Sequence, residues 1–130
     1  MIPTYDYFIE PLLKVLAGSA QAMKTSEVYK KVADLVGLSD EERAALVPSG
    51  LHAIYKNRIG WAQHRTQLNG LTGRKTYSVW QLTDKGRQFL AERPGGLTDA
   101  DRELLAIATS ANSDDAQERD RLADDRLRRV

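Results

Sequence analysis

The spacing of apolar residues near the start of the chain predicts an amphipathic helix. Over residues 4–16 they recur at intervals of three and four, with Thr4 as a candidate N-cap and Gly18 as the end signal. Pro11 lies inside this segment and removes one backbone hydrogen bond. We therefore expect either a kink at Pro11 or a helix that begins near Glu10.

A very short strand and a second helix are predicted next. Met23 and Lys24 form the candidate strand, and Thr25 or Ser26 is the candidate N-cap of a helix that ends near Val36. Apolar residues in this helix are again three or four positions apart, so we expect it to bury one face.

Two further helices are predicted in the middle of the chain. Ser39 and Glu42 have the spacing of a capping box, which predicts a helix over about residues 40–46. A longer helix is predicted over about residues 52–69, ended by Gly70. Apolar residues cover about half of its circumference, and the opposite arc is polar and basic with no carboxylate.

The β-forming residues between positions 71 and 82 predict a hairpin. Residues 71–72 are expected to pair with the later strand, and residues 73–75 to form the turn. Thr83 is the candidate N-cap of a fifth helix over residues 84–91. This order of elements is that of a winged helix-turn-helix, so we expect a mostly α fold with a small β-hairpin wing.

The segment after the fifth helix is expected to end the compact unit. We predict one domain over residues 1–93 and a C-terminal helix and charged linker over residues 94–130, with Thr98 as the N-cap of that helix. An apolar stripe on this helix provides a possible homodimer seam. Its residues are Leu104, Leu105 and Ile107.

Composition excludes several classes of site. The chain has 130 residues, 42% of them hydrophobic, which suffices for one core. It has no cysteine, so a disulfide framework, a thiolate zinc site and a Cys nucleophile are excluded, and two histidines do not close a metal site alone. We expect no cofactor and no metal. The absence of a signal-peptide pattern and of a long apolar stretch predicts a cytoplasmic protein that does not contact the membrane.

Charge is distributed unevenly along the chain. The net charge is +1, but residues 48–91 contain seven Lys and Arg against one acid, which gives +6, and the remainder carries −5. A basic segment of this kind is typical of a surface that binds a polyanion such as DNA. The alternative is a solvated face on which the cations cluster by chance.

The candidate DNA-binding residues lie on the polar arc of the fourth helix and on the hairpin. The arc would read base edges, with its amides pairing to adenine and its glycine allowing close backbone approach. Its residues are Lys56, Asn57, Gly60, Gln63, His64 and Gln67. Phosphate contacts are assigned to Lys56, Arg58, Arg65, Arg74 and Lys75. Ser49 and His52, at the helix start, would bind a phosphate. Thr76 and Tyr77 complete the predicted surface.

Structural alternatives stay open for several of these residues. Arg58 and Arg65 lie at the border of the apolar arc and are equally compatible with ion pairs to the second or third helix. His64 is an ordinary surface histidine in the simpler interpretation, and Tyr77 is compatible with either core or surface. Both tryptophans, Trp61 and Trp80, are assigned to the core.

A set of spaced motifs resembles the N-terminal domain of Mrr-type restriction proteins. The matching segments, within residues 2–92, are Ile2–Tyr5, Pro11–Leu13, Leu38–Arg43, Pro48–Gly50, Asn57–Ala62 and Trp80–Gly86. The resemblance implies a winged helix that binds double-stranded DNA. It also implies a restriction system that cuts modified, typically methylated, DNA through a separate nuclease domain, with this domain as its targeting part.

The chain departs from the full family pattern after Gly96. A metal-dependent nuclease needs clustered carboxylates and a lysine in an α/β domain, and the last 34 residues have no lysine and no strand pattern. We therefore expect this chain not to be an enzyme. The alternatives are a winged-helix transcriptional regulator and a protein-interaction or dimerisation module.

Overall fold

The fold is mostly helical with one small antiparallel sheet. A computed structural model describes residues 2–107, and the predicted charged linker lies almost wholly outside the described residues. The elements in chain order are α1 (Tyr5–Ala17), β1 (Met23–Lys24), α2 (Thr25–Val36), α3 (Asp40–Ala44), α4 (Ile54–Leu68), β2 (Thr72–Thr76), β3 (Val79–Leu82), α5 (Asp84–Ala91) and α6 (Asp99–Ile107).

Helix α1 runs through Pro11 without interruption, so the alternative start near Glu10 is wrong. Proline in a helix interior costs about 3 kcal/mol. Burial of apolar side chains on one face of α1 offsets this cost, at about 1.5–3 kcal/mol for each side chain. These residues are Phe8, Ile9, Leu12, Leu13 and Leu16. Helix α1 therefore forms the centre of the core.

The sheet has the strand order β1-β3-β2, and both pairings are antiparallel. Thr72 pairs with Leu82 and Arg74 with Trp80, so the segment predicted as the turn lies inside β2 and that prediction is wrong. The turn of the hairpin is instead at Tyr77 and Ser78. Backbone pairing along the ladder outweighs the turn propensity of the glycine in this segment.

Side-chain capping begins three of the helices where the sequence predicts it, and in α6 the Thr98 hydroxyl accepts from the Asp101 N–H at 3.1 Å. The Ser39 hydroxyl accepts from the Glu42 N–H at 3.1 Å, and the Glu42 carboxylate accepts from the Ser39 N–H at 2.8 Å, which completes the capping box of α3. The Thr83 hydroxyl accepts from the Gly86 N–H at 3.0 Å in α5. In α2, by contrast, neither predicted cap is used, because Lys24 is the N-cap residue.

The connection between α3 and α4 is a small β-like loop. Leu46 and Ala53 form an antiparallel bridge, and the Val47 N–H donates to the His52 carbonyl at 3.1 Å. The bridge ends α3 at Ala44 and delays α4 to Ile54, each two residues from the predicted position. A helical backbone cannot pair as a strand, so this loop sets both helix ends.

Helix α6 packs onto α1. Leu97 and Leu105 are buried in the same core as α1, and the Glu10 carboxylate accepts a hydrogen bond from the Leu97 N–H. Burial raises the pKa of Glu10, but the Leu97 hydrogen bond and the Lys14 ammonium outweigh it and the pKa is lowered. Leu105 is therefore not part of an exposed dimer seam, and the domain boundary at residue 93 stays a prediction.

Helix α5 packs closely against the residue before β2, so a side chain at Gly86 is expected to destabilise the fold. A Cβ at this position would lie 2.1 Å from the Leu71 carbonyl oxygen and 2.7 Å from a Leu82 methyl carbon. We expect Gly86→Ala to lower the free energy of unfolding by about 2 kcal/mol or more, measured by urea denaturation. Gly95→Ala is the control, since its Cβ would meet nothing within 4 Å. Equal midpoints for both variants would contradict this packing.

Candidate nucleic-acid interface

The candidate interface is built on α4, whose inner face is anchored in the core. Ile59 and Ala62 are fully buried, and Trp61 is 1% exposed. Trp80, on the facing strand β3, is 3% exposed, so the assignment of both tryptophans to the interior is confirmed. This packing fixes which arc of α4 faces outward.

Two of the predicted phosphate contacts point inward. Arg58 and Arg65 are buried, at 6% and 5% exposure. The Arg58 guanidinium donates to the carbonyls of Ile2 and Pro3 at 2.8 and 2.9 Å, so it holds the N-terminal segment against α4. The Arg65 guanidinium lies 5.8 Å from the ring centre of Tyr5. Because a buried guanidinium does not reach a phosphate outside, we remove both residues from the candidate surface.

Gln63, predicted on the exposed arc, is fully buried and connects α4 to the hairpin. Its amide nitrogen donates to the Gln67 side-chain oxygen at 2.7 Å. Its amide oxygen accepts from the Arg74 guanidinium at 3.2 Å. A helical wheel built on α4 alone misses this, because β2 covers the position. Gln63 therefore orients Arg74 and is not available to a base.

A second buried contact joins the same two elements. The hydroxyls of Thr66 and Thr72 are 2.9 Å apart, and both residues are buried. The Thr66 hydroxyl is also within 3.0 Å of the carbonyls of Ala62 and Gln63, to which it can donate. The spacing between α4 and β2 is thus fixed by paired polar groups inside the fold.

A cavity of about 410 Å³ lies between the start of α2, the first half of α4 and the hairpin. It brings together six of the residues predicted from sequence, namely His52, Lys56, Asn57, Gly60, Arg74 and Tyr77. Thr25, Tyr29 and Trp80 complete the lining. Sequence analysis did not assign Thr25 or Tyr29 to the site. Their only signal was their place in α2, whose start meets the hairpin where the Thr25 N–H donates to the Ser78 carbonyl.

The other predicted residues lie outside this lining. Ser49, Gln67, Lys75 and Thr76 are exposed. His64 is half-buried and packs edge-on against Trp61, with 5.7 Å between ring centres. The N-terminus of α4 also differs from the prediction, because Ala53 and not Ser49 or His52 precedes the first helical residue. Ser49 therefore belongs to the preceding loop.

The lining combines positive charge with aromatic rings and contains no carboxylate. The Lys56 ammonium lies 5.8 Å from the ring centre of Tyr29, and the Arg74 guanidinium lies 5.8 Å from that of Tyr77. Tyr29 meets Trp80 edge-to-face at 5.6 Å. Cations beside aromatic rings suit a ligand that carries both negative charge and a flat ring.

Within residues 2–107, no group of three His, Asp or Glu side chains is placed to hold a metal ion. No helix in that range is long and apolar enough to cross a bilayer.

Gly60 leaves open space in the cavity, and its replacement is expected to change the stability of the fold. It lies in the interior of α4, and a Cβ added there would meet nothing within 4 Å. Alanine is about 1 kcal/mol more favourable than glycine in a helix interior. We expect Gly60→Ala to raise the free energy of unfolding by about 0.5–1 kcal/mol, measured by urea denaturation. A loss of stability would show that the fold itself needs glycine here.

Comparison with known proteins identifies the family. The Mrr N-terminal domain family matches residues 5–92. The type IV methyl-directed restriction enzyme EcoKMrr of Escherichia coli (strain K12) is 38% identical over 107 residues, which are 82% of this chain and 35% of that enzyme. The chain thus spans about a third of that relative's length, and no solved structure matches it. Since the family match covers more than half of the chain, this chain belongs to the Mrr N-terminal domain family.

Proposed function

We propose that the chain is a winged-helix domain that binds double-stranded DNA. Helix α4 would enter the major groove, and the β2–β3 hairpin would act as the wing on the adjacent backbone. The main support for this proposal is the cavity between these two elements, because its lining combines cations, an amide and aromatic rings and contains no acid. These groups suit a polyanion with ring substituents.

The exposed charge supports a nucleic-acid partner. Of the seven cations in residues 48–91, the two arginines on the inner face of α4 are buried, and the other five are exposed. These are Lys56, Arg74, Lys75, Lys85 and Arg87. Only one acid, Asp84, lies in the same segment. An excess of exposed cations displaces the counterions condensed on DNA and so favours binding.

The proposed DNA-contacting set is revised from the sequence prediction. Arg58, Gln63 and Arg65 are left out because they are buried. The retained residues are Ser49, His52, Lys56, Asn57, Gly60, His64, Gln67, Arg74, Lys75, Thr76 and Tyr77. Within this set we assign Asn57 to base contact and the exposed cations to phosphate contact.

We further propose that the target duplex is methylated and that this domain delivers a restriction enzyme to it. The support is family membership and the name of the Escherichia coli relative, which describes a methyl-directed restriction enzyme. In this proposal the domain selects the DNA, and cleavage belongs to a different part of such an enzyme. A transcriptional regulator would share the binding geometry but would not require a methyl group.

The first test is the salt dependence of binding. Lys75→Gln removes one exposed charge from β2, and we expect it to weaken binding to every duplex and to reduce the slope of log K against log salt by about 1. Lys14→Gln is the control, since Lys14 is also exposed but lies on α1, where its ammonium pairs with Glu10 at 3.1 Å. Fluorescence anisotropy at several salt concentrations measures both. If wild-type chain binds duplex DNA no better than an acidic control protein at low salt, the proposed function is wrong.

The second test is competition between duplexes that differ by a single methyl group. We expect the methylated member of at least one pair to bind about tenfold more tightly, the scale on which a fitted apolar group discriminates. Pairs carrying N6-methyladenine and 5-methylcytosine in varied sequence contexts are compared at two salt concentrations. Equal affinity for both members of every pair would contradict the proposed preference for methylated DNA, and the domain would then bind DNA without regard to methylation.

A further inference from the structure

Two residues that line the cavity have buried hydrogen-bond donors without partners. The Asn57 amide nitrogen and the Trp80 indole nitrogen are buried, and neither has a hydrogen-bond partner among the described residues. Both residues line the cavity. Buried donors in folded proteins are nearly always paired, so two unpaired donors in residues that line one cavity point to a ligand that brings acceptor atoms.

Gly60 is a second and independent sign of a ligand. It carries no positive φ, and no atom lies close enough to exclude a side chain, so neither backbone nor packing requires glycine. Glycine in the interior of a 15-residue helix nevertheless weakens that helix. The space that its missing side chain leaves belongs to the cavity. A bound group that occupies this space accounts for the glycine.

Charge and burial divide the cavity into a rim and a floor. At the rim, Lys56 and Arg74 are exposed, and Tyr77 is 88% exposed. At the floor, Trp80 is buried and Asn57 is half-buried, and both are neutral. Anionic groups are expected at the rim, and a flat polar ring with acceptor atoms is expected at the floor. A single nucleotide has this distribution of charge along its length.

We propose that the cavity receives one nucleotide whose base has swung out of the duplex, which rests on the proposed DNA-binding function. Its phosphate lies against Lys56 and Arg74, and its base lies against Asn57 and Trp80. The volume of about 410 Å³ is within the range of pockets for small molecules, about 300–1,000 Å³. A base outside the stack exposes its whole Watson–Crick edge, so a modification becomes readable there.

Two simpler occupants explain less of the cavity. A backbone phosphate alone is satisfied by the rim cations and leaves the floor at Asn57 and Trp80 unoccupied. A base that stays stacked in the duplex presents only its groove edge, and it does not fill the space beside Gly60. Of these three occupants, the extruded nucleotide is the one that uses the rim, the floor and the open space together.

Duplexes that differ in the cost of extrusion test the proposal. One short duplex has a normal central pair, a second has the same central base opposite an abasic site, and a third is abasic on both strands. The central base is adenine, N6-methyladenine, cytosine or 5-methylcytosine. An unpaired base leaves the stack at lower cost, so we expect the second duplex to bind about tenfold more tightly than either of the others for at least one base.

The third duplex separates extrusion from flexibility, because it bends as easily but has no base to insert. Equal binding to the second and third duplexes overturns the extruded-base proposal and leaves DNA binding intact. Failure to bind any of the three at low salt overturns the proposed function itself. The two failures are therefore distinguishable in one assay.

Two variants assign the preference to the cavity. Gly60→Leu fills the space beside α4, and Asn57→Ala removes a floor donor. For each variant we expect the ratio of its affinity for the second duplex to its affinity for the third duplex to fall toward one. Ala100→Leu, at an exposed position on α6 outside the lining, is the size-matched control and should keep the wild-type ratio. Thermal melting confirms that each variant folds. If this affinity ratio is unchanged in both cavity variants, the extruded base does not bind in the cavity and the proposal is wrong.

Discussion

The hydrogen bonds between α4 and β2 determine the geometry of the candidate site. The buried Gln63 amide bonds to Arg74, and the buried hydroxyls of Thr66 and Thr72 meet. Breaking either contact would leave a polar group buried and unpaired, which is costly. The helix and the hairpin therefore hold a fixed separation, and the cavity between them exists before any ligand binds. Such preorganisation lowers the ordering cost of binding.

The cations of residues 48–91 have two different roles, depending on whether they are buried or exposed. Arg58 and Arg65 lie inside, where Arg58 binds two backbone carbonyls and Arg65 packs beside aromatic rings. The cations that remain outside create the positive field of the proposed DNA-facing surface. Net charge counted along the sequence therefore overstates the charge that a polyanion meets. The exposed excess still has the sign that a nucleic-acid partner requires.

Helix α4 contributes one face to the core and a neighbouring face to the cavity. One arc of α4 carries Ile59, Trp61 and Ala62 into the core, and the neighbouring arc opens at Gly60 and Asn57. Tight packing on the first arc fixes the position of the second, so a small glycine gap remains open and does not collapse. In the same way, Trp80 supports the sheet and also forms part of the cavity wall.

The sequence alone determined the helices, the hairpin, both buried tryptophans and the family, because periodicity, capping and spaced motifs are local signals. It also located six lining residues of the cavity. The tertiary structure decided the rest. It buried Gln63, Arg58 and Arg65 under other elements, placed the hairpin turn at Tyr77 and Ser78, and brought Thr25 and Tyr29 to the site. A helical wheel gives the direction of a side chain on its own helix, but which neighbour covers that side chain depends on the whole fold.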